Sequence, residues 1–279
     1  MTPPAPAASG LSELQKRILS GLVMAAMAIT VAIFGGWFFA LFWCVAACLV
    51  GEEWQRIVHG QPSSALRLAT MLAIILAVLG GFWASWPVLI LALLAAPLIA
   101  FTLGTNNPRD TGIGVLYGAA LGAGVVLCRG QDLTGMVVIL WLFAVVWGTD
   151  TVAYFTGRAL GGPKLWPRVS PKKTWSGALG GLLGAAILGA GVLASLGVAW
   201  QWQHGVLSIL LSMASQMGDL FESAIKRRYD VKDSGTLIPG HGGFMDRLDG
   251  FIFAVVLAAI IGAWHAGIAN VPLGLLRWT

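Results

Sequence analysis

The chain has 279 residues, of which 57% are hydrophobic and 10% charged, with a net charge of +5. A typical soluble domain carries roughly 25% charged residues, so a water-covered globule of this size is excluded. The positive charge sits in a few clusters between apolar runs, which suits anionic lipid headgroups and phosphates and needs no nucleic-acid partner.

Nine apolar stretches follow one another: 18–34, 35–51, 66–84, 86–104, 112–128, 134–157, 177–199, 205–226 and 250–270. Each approaches the roughly 20 residues that a helix needs to cross a bilayer. They are continuous, without the period-two alternation of a barrel strand, so an all-α polytopic membrane protein of about nine spans is predicted. Residues 1–17 precede the first span as a cytoplasmic lead, and the Pro/Ala-rich start, MTPPAPAASG, is expected to be disordered. Residues 18–130 form an N-terminal set of helices. Residues 131–279 form a C-terminal region with two charged loops, 157–177 and 223–250. With nine spans, only Arg129 and Arg277 of the seventeen Lys and Arg residues fall on the far side. That asymmetry places the N-terminus and the charged loops in the cytoplasm.

The first half reads as chemically quiet. Glu52, Glu53, Arg56 and His59 are expected on a solvated loop after the second span. Gly114, Gly118 and Gly122 recur every four residues, as do Gly177 with Gly181 and Gly180 with Gly184, the spacing that lets helices pack closely in lipid. Cys44, Cys48 and Cys128 lie in apolar runs and read as packing residues. Neither common glycine-rich nucleotide loop is present.

The second half carries the chemistry. Asp150 closes the sixth apolar run, and Asp219 and Glu222 lie toward the end of the eighth. Ionisable groups in a membrane helix are costly and mark function or pairing. Ser215, Asp219, Glu222 and Ser223 share one helical face, and Glu222 can alternatively pair with Lys226 one turn on. In the first loop Ser170, Lys172, Lys173 and Thr174 stand just before a helix start, a place that suits phosphate, although simple positive-inside anchoring reads as well. The second loop mixes Lys226, Arg227, Lys232 and Arg247 with Asp233, Asp246, Asp249 and His241. Carboxylates hold Mg²⁺, and Lys and Arg neutralise phosphate. Asp219 is expected to face Asp246 as a metal pair across this loop.

The run Ser223-Ala224-Ile225-Lys226-Arg227, with Lys232-Asp233, Gly235, Pro239, His241-Gly242-Gly243 and Asp246-Arg247-Leu248-Asp249, resembles the signature of the phosphatidate cytidylyltransferase family. Asp150, the run at 153–158 and Ser170-Pro171-Lys172-Lys173-Thr174 resemble it too, over about 147–250. Members often carry an acidic residue shortly after the last run, where Trp175 and Ser176 stand here. The resemblance implies a membrane enzyme that makes CDP-diacylglycerol and pyrophosphate from CTP and phosphatidate. It implies Mg²⁺ on Asp219 and Asp246, and allows K⁺ beside it. A homodimer and a bacterial inner-membrane location are further expectations. A CTP-dependent lipid kinase and a cation-coupled transporter are the competing readings.

Overall fold

The computed structural model describes residues 13–103, 106–235 and 242–278. His241 and Pro239 lie outside the described residues. Nine helices follow the nine predicted stretches in order: α1 (Glu13–Phe34), α2 (Gly36–His59), α3 (Ser64–Phe82), α4 (Trp86–Thr102), α5 (Pro108–Arg129), α6 (Leu133–Leu160), α7 (Trp175–Ser195), α8 (Trp202–Arg228) and α9 (Asp249–Ala266). A short α10 (Val271–Leu276) follows. Six segments are long and apolar enough to cross a membrane: α2, α3, α5, α6, α7 and Met245–Ala266. The protein is thus an all-α membrane protein, while nine crossings are not established. The apolar part of α1 (Leu19–Phe34) and α4 are shorter, and α8 is not in the set. The reason for α8 is a buried polar stripe, His204, Ser208, Ser212, Ser215 and Glu222, that faces the bundle interior. Trp141 Nε1 donates to Ser208 Oγ at 3.1 Å, and Thr149 Oγ1 to Ser212 Oγ at 2.7 Å, so part of the stripe is satisfied by α6.

Helix ends follow local sequence signals. Ser63, Asp132 and Thr174 cap α3, α6 and α7 by accepting backbone N–H bonds. The break between α1 and α2 falls at Gly35, with φ at 66°. A Cβ there would strike the guanidinium of buried Arg129, which donates to Ala32 O at 2.8 Å and Asp132 O at 2.7 Å. One arginine thereby satisfies the exposed carbonyl end of α1 and the turn before α6.

The chain runs up and down between two ends. One end joins α2 to α5 (His59 Nε2 with Thr111 Oγ1, 2.9 Å) and α5 to the residue after α8 (Tyr229 Oη donating to Asp110 Oδ2, 2.5 Å). The other end joins α3 to the turn after α5 (Gln131 Nε2 to Phe82 O, 3.4 Å) and α8 to the C-terminal segment (Gln201 Nε2 to Trp278 O, 3.0 Å). The core lies where α2, α5, α6 and α9 meet, around Trp54, Trp141, Leu142 and Ile252. Leu94, Leu98, Phe101, Leu183 and Ile187 of α4 and α7 point outward, as a hydrocarbon solvent requires.

Three features differ from the sequence reading. The segment after α6 folds into an antiparallel hairpin, β1 (Lys164–Trp166) with β2 (Ser170–Thr174). Ser176 closes it, with Oγ donating to Gly161 O and exchanging a bond with Thr174 Oγ1. Second, α8 continues to Arg228, so Ser223, Lys226 and Arg227 are helical and not in a loop. Third, α2 runs to His59, and Glu52, Glu53, Arg56 and His59 ride on its last two turns. The pair Glu52–Arg56 at 2.8 Å sustains the helix past its apolar stretch.

The glycine repeats are contact surfaces. A Cβ on Gly114 would land on the Trp54 ring, on Gly118 against Ile74, and on Gly122 against Val78. On α7, Gly180 and Gly184 meet Thr156 and Val152 of α6. Gly114→Ala should therefore lower the melting temperature in detergent, as expected of overpacking that costs about 1–3 kcal/mol. Gly191→Ala, with open space around it inside α7, should not lower the melting temperature and should raise it slightly through helix propensity.

Candidate active site

Two clusters of charge meet beside one cavity. The first is centred on Lys226 of α8. Its Nζ lies 2.9 Å from Glu222 Oε1 and 2.6 Å from Asp246 Oδ1. Glu222 is fully buried, so the i+4 pairing that its spacing suggested is realised in the interior. Asp246 sits on the single 3₁₀ turn Met245–Arg247 that leads into α9. Its Oδ2 accepts from Ser234 N (2.9 Å), Ser234 Oγ (2.9 Å) and Gly243 N (2.8 Å). Gly242 has φ at 82°, and a Cβ there would sit 2.8 Å from Asp246 Oδ2. The glycine pair therefore exists to let backbone close around a carboxylate.

The second cluster gathers Asp150, Asp219, Asp249, Lys173 and Arg247. Lys173 Nζ of β2 is 2.5 Å from Asp219 Oδ2, and Ser223 Oγ donates to Asp219 Oδ1 at 3.3 Å. Asp150, within α6, is in electrostatic reach of Asp219, Lys173 and Arg247, and Asp249 is in reach of Asp219, Asp150 and Lys173. The hairpin explains this meeting: it folds Lys173 back over α8 from a segment that sequence alone treats as loop.

A cavity of about 410 Å³ touches both clusters. Asp150, Asp246, Arg247 and Asp249 form its polar part, and Gly21, Met24 and Ala28 of α1, with Trp43 and Trp147, form its apolar part. Trp43 stacks on Phe251 with ring centroids 5.2 Å apart, which stiffens that wall. A larger cavity of about 530 Å³ lies at the opposite end, around Gln201, Arg277 and Trp278, and meets none of these carboxylates.

The expected Asp219–Asp246 pair is not a ready-made cage. Among the described residues no three Asp, Glu, His or Cys side chains stand together as a metal site. Each of the two carboxylates instead carries its own lysine ammonium, as two cation-holding groups do. Mg²⁺ needs only one or two protein carboxylates when waters and substrate phosphates complete its shell, so this hard-oxygen donor set fits it. The other candidates scatter. Thr174 is committed to capping α7 (Gly177 N, 3.1 Å), and Ser170 pairs with Trp166 in the hairpin. Lys172, Lys232 and Asp233 are exposed. Arg227 Nη1 donates to Val231 O at 3.4 Å and closes the end of α8. No ion pair joins Arg247 to Asp249 among the described residues; Asp249 Oδ1 accepts from Gly250 N at 2.8 Å.

The sequence reading missed Glu53, which is not on a solvated loop. Its side chain is buried, and its carboxylate accepts from Phe244 N (2.9 Å), Met245 N (2.7 Å) and Ser234 Oγ (3.0 Å). The signal was available: Ala46, Val50, Glu53 and Trp54 share a helical stripe, and a carboxylate on a buried stripe needs donors. Asp110 was missed likewise. It is buried, and Tyr229 and Arg228 reach it from the end of α8.

The bundle brings three carboxylates and Arg247 to one cavity whose other side is apolar, with Lys173 and Lys226 on neighbouring carboxylates, the donor types that a membrane enzyme acting on anionic phosphates needs. The chain belongs to the cytidylyltransferase family, which it matches over residues 15–264. It is 39% identical over 259 residues to the phosphatidate cytidylyltransferase of Brucella suis, covering 92% of this chain and 96% of that protein. It is 33% identical over 254 residues to that of Staphylococcus haemolyticus, covering 88% and 97%. The likeness therefore extends into the first half, beyond the stretch 147–250 that carried the sequence resemblance.

Lys226 is the critical cation. Lys226→Met leaves Glu222 and Asp246 buried without a counter-charge, and should destabilise the protein by about 3–5 kcal/mol. The Lys173–Asp219 pair is partly exposed, so Lys173→Met should cost about 1 kcal/mol or less. Thermal unfolding of the two variants side by side checks the contrast.

Proposed function

We propose that this chain transfers CMP from CTP to phosphatidate, forming CDP-diacylglycerol and releasing pyrophosphate, in phospholipid biosynthesis at a bacterial inner membrane. The observation that carries it is the family membership together with the cavity that has Asp150, Asp246 and Asp249 on one side and apolar membrane helices on the other. An acyl chain can stay among α1, α2 and α6 while its phosphate reaches the charged groups.

In the reaction a phosphatidate oxygen forms a bond to the α-phosphorus of CTP. The bond from that phosphorus to the bridging oxygen breaks, and pyrophosphate departs with the electron pair. The nucleophile is already ionised near neutral pH, so no strong general base is needed. The barrier lies in bringing two anions together, and positioning with charge neutralisation lowers it. Lys226, Arg227, Lys232 and Arg247 are the groups of α8 and the α9 entry that hold the triphosphate or the lipid phosphate. Lys172, Lys173, Ser170 and Thr174 approach from the hairpin side, and His241, which lies outside the described residues, is a further candidate from the motif. Asp219 and Asp246 would hold Mg²⁺, with K⁺ admissible beside it, and the ion would supply neutralisation of phosphate charge. Lys173, on the more exposed of the two pairs, can turn to a substrate phosphate, while Lys226 stays between Glu222 and Asp246. Asp249 and Asp150 balance the remaining positive charge, and Ser223 orients Asp219.

The charged loops and the N-terminus lie on the cytoplasmic side in this reading, where CTP is available. Partners are the two substrates and the bilayer, with a homodimer as the assembly.

Purified protein in detergent with CTP, phosphatidate and Mg²⁺ should yield pyrophosphate and CDP-diacylglycerol in equal amounts. Asp246→Asn should cut that rate by at least about 100-fold, beyond the range typical of residues that act behind a metal ligand. A well-folded wild type that forms no CDP-lipid from any phosphatidate overturns the reading.

A further inference from the structure

Glu53 lies in the half of the chain that carries none of the proposed chemistry, yet it is bound to the turn that does. Its side chain is 2% exposed. Oε1 accepts from Phe244 N at 2.9 Å, and Oε2 from Met245 N at 2.7 Å. These are the two residues immediately before Asp246. Ser234 Oγ stands 3.0 Å from Glu53 Oε2 and 2.9 Å from Asp246 Oδ2, so one hydroxyl bridges the two carboxylates. A hydroxyl has a single proton and can serve one of them at a time. Four backbone N–H groups do the rest: two bind Glu53, and those of Ser234 and Gly243 bind Asp246 Oδ2.

The result is a turn fixed on both sides. The glycines leave no slack, because a Cβ on Gly243 would meet Glu53 Oε2 at 2.6 Å, and one on Gly235 would meet Glu53 Oε1 at 2.7 Å. Met245 is fully buried below. With Oδ2 of Asp246 fully engaged, only Oδ1 remains to face α8, where Lys226 sits on it at 2.6 Å. Two negative charges this close in a dry site are unfavourable unless each is fully hydrogen-bonded. An apolar residue on α2 would leave the N–H groups of Phe244 and Met245 unpaired, and a carboxylate accepts from both at once at the cost of a second negative charge beside Asp246.

We propose that Glu53 is a positioning residue for the transfer reaction: by holding the N–H groups of Phe244 and Met245 and sharing Ser234, it fixes which oxygen of Asp246 is presented to Mg²⁺ and nucleotide phosphate. The inference rests on the reading that Asp246 serves CMP transfer. It assigns the α2 end a part in the site, across more than half the chain.

The test uses the full chain in detergent as wild type, Glu53→Gln and Ser234→Ala. Two readouts are taken: kcat and KM for CTP across a Mg²⁺ titration, and the rise in melting temperature that Mg²⁺ produces without substrate. A glutamine amide presents its NH₂ to one of two backbone donors. Glu53→Gln should therefore lower kcat by about 10–100-fold, raise the half-saturating Mg²⁺ concentration, and shrink the Mg²⁺-induced melting shift. Ser234→Ala should move all three in the same direction by less. A folded Glu53→Gln with wild-type kcat and Mg²⁺ response overturns the proposal. So does a variant with a lower melting temperature and unchanged kcat and Mg²⁺ response, which makes Glu53 a brace only. If Glu53→Gln does not fold, Ser234→Ala decides by the same criteria. A wild type with no CDP-lipid formation sinks the proposed function instead, and the melting shift still reads out the Glu53 effect.

Discussion

The site depends on one ammonium placed between two carboxylates in a nearly dry interior. Lys226 Nζ contacts both Glu222 and Asp246, one from its own helix and one from the entry to α9. Buried charge is costly, and the attraction between opposite charges offsets that cost only when the geometry is good and further hydrogen bonds complete it. Here Asp246 receives two backbone donors besides the lysine and shares the Ser234 hydroxyl with Glu53. The rest of the chain can be read as the means of keeping that arrangement assembled. The glycines at 242 and 243 let the turn close, α2 supplies Glu53 behind it, and α5 ties the end of α8 through Asp110 and Tyr229.

This gives the N-terminal half a physical role. Its outer helices present leucine and phenylalanine outward, but α2 and α5 carry acidic groups inward at the same end as the turn that holds Asp246. Trp54 Nε1 donates to Asp110 O at 2.8 Å, and Gln55 Nε2 to Thr111 O at 3.1 Å, so α2 and α5 are locked together beside it. The close contact of Gly114 with the Trp54 ring belongs to the same joint. A substrate that pushes on the Met245–Arg247 turn therefore pushes on a braced framework.

Much of the fold was legible because lipid leaves few choices: apolar stretches of helical length gave nine helices in the right order, and the Gly35-Gly36 break fell where expected. The glycine repeats also kept their meaning as packing surfaces. What failed was the end of the second and of the eighth apolar stretch. Polar residues such as Glu52, Glu53 and Arg56, or Ser223 to Arg228, look like loop by hydropathy, yet i,i+4 pairs and tertiary donors keep them helical. The hairpin was invisible because five residues of Ser-Pro-Lys-Lys-Thr carry no strand periodicity and are fixed by Ser176 and Gly161. Asp150, Asp219, Asp249, Lys173 and Arg247 come together as their charges suggested, whereas the Asp219–Asp246 pairing was drawn too simply. Each aspartate has its own lysine, and only a fold that returns β2 over α8 could reveal that. Glu53 was lost because its donors come from residues about 190 positions away.

The central claim is that the CMP group, and not the terminal phosphate, moves to the lipid. Supplying CTP labelled at the α-phosphate or at the γ-phosphate, and following the label into the lipid product, tests it directly. The account predicts α-label in the lipid and γ-label in pyrophosphate. Label from the γ-phosphate in the lipid, with CDP released, would contradict it and make the protein a lipid kinase.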